Sequence, residues 1–337
     1  MLALLMASCG TTSAAERPED DALTIAATTT IMGDVVRNVA PRTAEVSVLM
    51  GPGADPHTYE PSARELAELQ EADLVVANGG GLEAGLQSAL DEAERAGVPV
   101  FSALEHVTPL TDDEREEGDE VQREEGEDHD DDNGDDDGAE RSDDPDDGSA
   151  GATAGDGHDH GTVDPHFWMD PVRMAEVVDA LGAQIGELTD TARRSADRAE
   201  RYGAELRDLD GRISVLLDEV PADRRTIVTN HEALAYFADR YDLRVVGTVI
   251  PSMSTGAEPS AQDIEQLAAV VRREGVTTIF AESTAPLQLA ETLADEVGPD
   301  AEVVVLFTES VGGDDSPATY VDMLMTDAEL ISEALRR

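Results

Sequence analysis

Two hydrophobic periods alternate along this chain. Leu23 to Thr28 is a short apolar run, and Ile31, Val35, Val36 and Val39 then step at helical spacing up to Ala40. Glu45 to Met50 is extended again. Pro61-Ser62-Ala63-Arg64-Glu65 opens a helix with Leu66, Leu69 and Ala72 on its apolar face, its Pro placed at the first helical position, where the missing N–H does no harm. A strand over Asp73 to Ala77 ends at Asn78-Gly79-Gly80-Gly81, and a helix from Leu82 to about Ala96 and a strand from Val98 to Phe101 follow. After residue 170 the pattern turns helical, first over Pro171 to Leu188, then over Thr191 to Glu219. The second of these would span about 40 Å at a rise of ~1.5 Å per residue, enough to run the length of two lobes; Pro221 ends it. A second alternating unit predicts strands at Thr226–Thr229, Leu243–Gly247, Val276–Phe280 and Glu302–Phe307. Its helices start at Asn230-His231-Glu232, run from Pro259 to Arg273 and from Pro286 to Glu296, and begin a last time at Pro317. Strand–helix alternation in both halves argues for α/β lobes with parallel sheets.

Thr111 to Gly161 breaks the pattern. It is dense in Asp, Glu and Gly and almost free of aromatic and β-branched residues. It cannot bury enough apolar surface to offset its ordering entropy, so disorder is expected. The resulting organisation is a terminal segment (1–21), an N-terminal lobe (22–110), the acidic segment (111–161), the end of that lobe (162–190), a linking helix (191–219) and a C-terminal lobe (220–337).

Charge narrows the partners. The 337 residues carry a formal charge of −52, and all 23 basic residues are Arg. Nucleic acid and anionic membrane surfaces would be repelled, and cations are the natural counterpart; solubility, including in high salt, is the plainer reading of the same charge. The acidic segment holds His129 and ends in Asp156-Gly157-His158-Asp159-His160-Gly161, a pattern that can collect divalent metal weakly or serve only as a solvated linker. The single cysteine, Cys9, excludes an internal disulfide. It follows the apolar run Leu2 to Met6 and the tripeptide Ala7-Ser8-Cys9, which reads as the end of a lipoprotein signal with Cys9 the lipidated residue and 11–21 a tether. The run is far shorter than the ~20 residues of a membrane span, and a free thiol is the alternative reading of Cys9.

The chemistry sits in repeated motifs. Asp55-Pro56-His57 recurs as Asp164-Pro165-His166, beside the only Trp, Trp168. Pro disfavours the α region for the residue before it, so each Asp is extended and each His is presented on a bend. His57, His231 and Glu309 follow strands, the position at which open parallel sheets bind ligands. His57 and His166 belong to the first half and His231 and Glu309 to the second, which puts the site between lobes. Three imidazoles and a carboxylate complete a four-coordinate zinc set, leaving no open position for an activated water. Such a set favours binding over catalysis. Imidazole suits Zn better than Mg or Ca, with Mn still open. Glu282 reads as an outer carboxylate oriented on an imidazole or as a rival ligand, and Glu60 as an orienting or capping carboxylate. A zinc hydrolase is disfavoured: His231-Glu232 begins a His-Glu-x-x-His pattern, but Ala235 stands at the second His position.

The runs Gly53-Ala54-Asp55-Pro56-His57-Thr58-Tyr59-Glu60-Pro61, Asp164-Pro165-His166-Phe167-Trp168-Met169-Asp170 and Thr229-Asn230-His231-Glu232-Ala233-Leu234-Ala235-Tyr236-Phe237 resemble those of the metal-specific solute-binding proteins of bacterial ABC importers. The likeness runs from about Leu23 to the end, the acidic segment excepted. It implies two α/β lobes joined by one long rigid helix, a Zn(II) or Mn(II) ion held between them, and delivery to an ABC permease with its ATPase. With the Cys9 signal, the expectation is a monomer on the outer face of the cell membrane, held there only by its lipid, or a periplasmic protein if Cys9 is not lipidated. Manganese-type members usually carry Glu as third ligand, so His231 favours zinc, as does the acidic His-bearing insertion. One departure stands out: the family usually has Asp where this chain has Glu309, and the longer side chain could approach at another angle or leave the ion with three protein ligands and a water. A surface adhesin or zinc-buffering lipoprotein would use the same site without a permease.

Overall fold

The computed structural model describes residues 22–110, 163–189, 192–256 and 259–337. The expected lipidation residue Cys9 and the expected metal-collecting residues His129, His158 and His160 lie outside the described residues, as do the whole terminal (1–21) and acidic (111–161) segments.

The first lobe runs β1 (Thr24–Ala27), α1 (Thr30–Val39), β2 (Glu45–Val48), α2 (Ala63–Glu71), β3 (Leu74–Ala77), α3 (Gln87–Ala96) and β4 (Val100–Ser102). Two helices follow, α4 (Pro171–Leu188) and α5 (Ala192–Leu217). The second lobe runs β5 (Thr226–Thr229), α6 (Ala235–Tyr241), β6 (Arg244–Thr248), α7 (Ala261–Glu274), β7 (Thr278–Glu282), α8 (Gln288–Val297), β8 (Glu302–Leu306) and α9 (Tyr320–Arg336). Each lobe has a four-stranded sheet, ordered β2-β1-β3-β4 and β6-β5-β7-β8, with all described pairings parallel. The two halves therefore repeat one topology. Parallel strands align all their carboxyl ends on one rim of each sheet, and covering both faces makes β3 and β7 buried at every residue.

The repeat extends to the turns. Ser62 caps α2 and Ser260 caps α7, each in a reciprocal capping box with the residue three positions on, Glu65 and Asp263. The Pro of each run thus stands one residue outside the cap rather than at the first helical position, because the Ser side chain takes the orphan N–H. Other starts also move. The expected helix at Leu82 opens as a 3-10 turn over Ala84–Leu86, since the Glu83 carboxylate folds back onto Asn78 N, Gly79 N and Thr28 Oγ1. The last helix starts at Tyr320, not Pro317, because Thr319 caps it.

A single apolar core crosses both lobes. Ile25, Val35 and Val76 of the first lobe join Val177, Leu181 and Ile185 of α4, Leu206, Leu209 and Ile213 of α5, and Phe280, Met323, Leu324 and Ile331 of the second lobe. Gly182 lets α4 and α5 approach: a Cβ there would lie 2.5 Å from that of Ala199. Smaller cores cover the outer face of each sheet, around Leu69 and Val75 in one lobe and Ile264 and Ile279 in the other. Among the described residues no helix is long and apolar enough to cross a membrane.

Candidate metal centre

The rims of the two sheets meet around His57, His166, His231 and Glu309. One ligating atom from each lies within 4.8 Å of all the others. His57 comes from the loop after β2. Its N–H donates to Asp55 Oδ1 at 2.9 Å, closing a turn across Pro56. Asp164 does the same for His166, again at 2.9 Å, and its Oδ1 also lies 2.7 Å from His166 Nδ1. The second motif is seated on the turn after β3: Asn78 Nδ2 donates to Pro165 O at 3.0 Å, and Gly80, at φ +66°, leaves room where a Cβ would come within 3.3 Å of Pro165.

His231 stands two residues beyond β5 in extended backbone (φ −136°, ψ −172°), and only a 3-10 turn over Glu232–Leu234 separates it from α6. The α-helix thus starts later than its sequence predicts, because an extended His231 can reach both the site and Glu282, the last residue of β7. Glu282 Oε1 sits 2.5 Å from His231 Nδ1, and Oε2 accepts from Thr308 Oγ1 at 3.2 Å. Glu309 follows β8 by three residues. Its Oε1 lies 3.1 Å from His57 Nε2 and 3.4 Å from His231 Nε2, while Oε2 accepts from Thr284 Oγ1 at 2.8 Å.

Nδ1 of both His166 and His231 is committed to a carboxylate, so each ring turns its Nε2 inward. Those Nε2 atoms are 3.3 Å apart, and Nε2 of His57 is 3.2 Å from that of His166. Nitrogens at that range share a proton, or surround a cation that displaces it. A tetrahedron with bonds of about 2.0–2.2 Å has edges of about 3.3–3.6 Å. Four of the six separations here are 3.1, 3.2, 3.3 and 3.4 Å. The donor set, three borderline nitrogens and one hard oxygen, fits a zinc-sized dication.

Electrostatics agree. Asp164, Glu282 and Glu309 are all buried, a concentration of acid that needs a compensating cation. Burial would depress His231, but the Glu282 and Glu309 carboxylates outweigh it and hold its imidazole well above the ordinary value. Burial likewise works to raise Glu309, yet hydrogen bonds from His231 and His57 hold it well below the usual carboxylate range. For His166 burial wins over Asp164 and pulls the ring down, keeping it available as a neutral ligand.

Trp168 walls the site: it is buried, edge-on to His166 at 5.2 Å between centroids, and donates to Thr308 O at 2.7 Å. Asp170 caps α4 through Val172 N and Arg173 N. Glu60 is exposed, and the cap of the helix it precedes is made by Ser62 and Glu65 instead. His106 is exposed and stacks on Phe101. Sequence reading did not single out Asp164 as the partner of His166, nor Thr284. The first was available as an Asp two residues before a His, a turn-forming spacing; Thr284 carries no such signal.

A family model described as zinc-uptake complex component A, periplasmic (ZnuA), matches residues 25–334. The chain is 29% identical over 308 residues to the zinc-binding lipoprotein AdcA of Streptococcus pneumoniae, covering 90% of this chain and 53% of that protein, so it spans about half the length of that relative. It is 25% identical over 337 residues to the manganese-binding lipoprotein MntA of Halalkalibacterium halodurans, with 99% and 96% of the two chains covered. The solved structure of the periplasmic zinc-binding protein TroA from Treponema pallidum superposes with a TM-score of 0.74 at 26% identity, over 94% of this chain and 100% of that one.

Proposed function

The chain belongs to the periplasmic zinc-uptake component A family, and from that premise we propose that it captures Zn(II) outside the cytoplasm and hands it to an ABC permease and its ATPase. His57, His166, His231 and Glu309 are the proposed ligands, and the ion is cargo rather than a reagent. The observation that carries this reading is the convergence of three imidazole Nε2 atoms and one carboxylate oxygen at spacings of 3.1 to 3.4 Å. A set that uses all four positions leaves none for an activated water, which supports a binding protein over a hydrolase. Lipid attachment at Cys9 and a monomeric state belong to the same proposal, as does a linking role for α5 between an N-terminal lobe at 22–110 and 162–190 and a C-terminal lobe at 220–337.

Manganese is the second reading, favoured by the manganese-binding relative. Three imidazoles speak for zinc, since manganese sites are richer in oxygen. Titration of the metal-free protein with Zn(II) and Mn(II), followed by metal analysis, separates them. One tightly bound zinc per chain, lost in His166→Ala, is the expected result. Protein that takes up no ion, or whose zinc survives His166→Ala unchanged, overturns the proposal.

A further inference from the structure

We propose that Thr284 selects the metal, by holding Glu309 to a single coordinating oxygen. The inference rests on the zinc-capture reading and deepens it. Glu309 presents Oε1 to the two imidazoles of His57 and His231, and its other oxygen is tied down: Thr284 Oγ1 donates to Oε2 at 2.8 Å. The carboxylate is fully enclosed, so no bulk water competes for Oε2. For Glu309 to chelate an ion through both oxygens it would have to rotate Oε2 inward and break that hydrogen bond.

This matters because the ions differ in what they accept. Zinc is satisfied by four ligands in a tetrahedron, whereas manganese prefers more oxygen donors and a higher coordination number. With one carboxylate oxygen the protein offers three nitrogens and one oxygen. With two it offers a five-donor shell, closer to what manganese takes. Thr284 lies two residues beyond β7 and Glu309 three beyond β8, and β7 and β8 pair directly with Glu282 opposite Leu306. The restraint therefore sits on the short turns that leave two adjacent, directly paired strands of one sheet. The extra methylene of Glu relative to Asp supplies the reach that brings Oε2 to Thr284 while Oε1 faces the imidazoles.

The test compares wild type with Thr284→Val, which keeps the branched shape and removes the hydroxyl, and with Thr284→Ser, which keeps the hydroxyl. Thr284→Ala poses the same question as Val without its bulk, should Val impair folding. Each metal-free protein is loaded with Co(II) and its visible absorption recorded, because tetrahedral Co(II) absorbs several-fold more strongly than five-coordinate Co(II). Zn(II) and Mn(II) affinities are measured by chelator competition. Expected for Val and Ala are a several-fold loss of Co(II) absorption and a Zn-to-Mn affinity ratio lower by roughly 10–100-fold, the usual scale for an outer-shell partner of a ligand, with Ser close to wild type. Unchanged Co(II) absorption and an unchanged ratio in Val and Ala overturn the proposal, as does an equal loss of both metals, which would make Thr284 a support and not a selector. Either result leaves zinc capture standing as long as wild type binds one zinc. Wild type that binds none removes both.

Discussion

The imidazoles of His166 and His231 are ligand-ready because carboxylates hold their far nitrogens, and that dependence can be measured. Glu282→Gln keeps an oxygen facing His231 Nδ1 and removes the charge, so the ring loses basicity without losing its orientation. Zinc affinity is expected to fall roughly 10–100-fold in competition with a chromogenic chelator; an affinity within twofold of wild type would mean that the charge contributes nothing. A second buried acid lies behind the site. Asp327 of α9 accepts from Phe307 N at 2.9 Å through Oδ1, and its Oδ2 has no hydrogen-bond partner among the described residues. Burial, aided by the Glu282 charge, pushes its carboxyl up to about 7 against the Phe307 N–H, which favours the charged form. A raised folded pKa means that the native state binds the extra proton between about pH 4 and 7, so its contribution to stability declines as pH rises through that window. Above it the cost levels off at about 4 kcal/mol at most, three pH units at ~1.4 kcal/mol each. Asp327→Asn keeps an acceptor for Phe307 and cannot ionise. It should unfold at a higher temperature than wild type at pH 8, by a margin that shrinks steadily toward pH 4; a pH-independent difference would refute the assignment. The convergence of the Asp-Pro-His imidazoles was legible because Pro restricts the backbone locally, whereas the surroundings of Asp327 and Thr284 arise from strands and helices distant in sequence and leave no local trace.

Elements carry the site by their ends. Strand–helix alternation predicted parallel sheets, and β5 and α4 match their expected bounds, since each is closed by an unambiguous local signal: Asn230-His231 after the strand, and Asp170-Pro171 before the helix. The order β2-β1-β3-β4 was not legible, because strand adjacency depends on how helices cross the sheet and not on any one segment. Nor was the way loops from opposite lobes lock together. Asp55, which folds the His57 turn through Oδ1, accepts with Oδ2 from Thr58 Oγ1 at 3.1 Å and from Thr255 Oγ1 of the second lobe at 2.5 Å. One carboxylate thus couples the pose of His57 to the closeness of the lobes. Thr255→Val cuts only the tie between lobes. The zinc dissociation rate, followed by stopped-flow against excess chelator, is expected to rise several-fold, while stability changes by no more than about 1 kcal/mol, the net value of one hydrogen bond. An unchanged rate would show that this tie does not hold the site closed.

At the scale of the whole molecule, the apolar core decides how far the lobes can behave separately. It runs without a break from Ile25 and Val76, through α4 and α5, to Phe280, Leu324 and Ile331. Hydrogen bonds follow the same path: Tyr320 N donates to Asp34 Oδ2 at 3.0 Å, Tyr320 OH to Trp168 O at 2.5 Å, and Tyr236 OH to Asp164 O at 2.8 Å. Opening the lobes widely would expose that core at roughly 25 cal/mol for each Å² of apolar surface, so a large hinge is costly and small sliding of packed helices is favoured. Unfolding one lobe would strip the apolar face from the other, and the two should therefore unfold together. Calorimetry of the metal-free protein lacking residues 1–21 is expected to give one transition with equal calorimetric and van't Hoff enthalpies. Removing 112–161 as well should preserve that single transition, because its sequence holds no Phe, Trp or Tyr and offers little apolar surface to a core. Zinc should shift the same transition upward as its free concentration exceeds the dissociation constant, by about 2.7 kcal/mol at a hundredfold excess. Two transitions, with zinc moving only one of them, would mean that the shared core does not bind the lobes into one cooperative unit and that the ligands report on a single lobe.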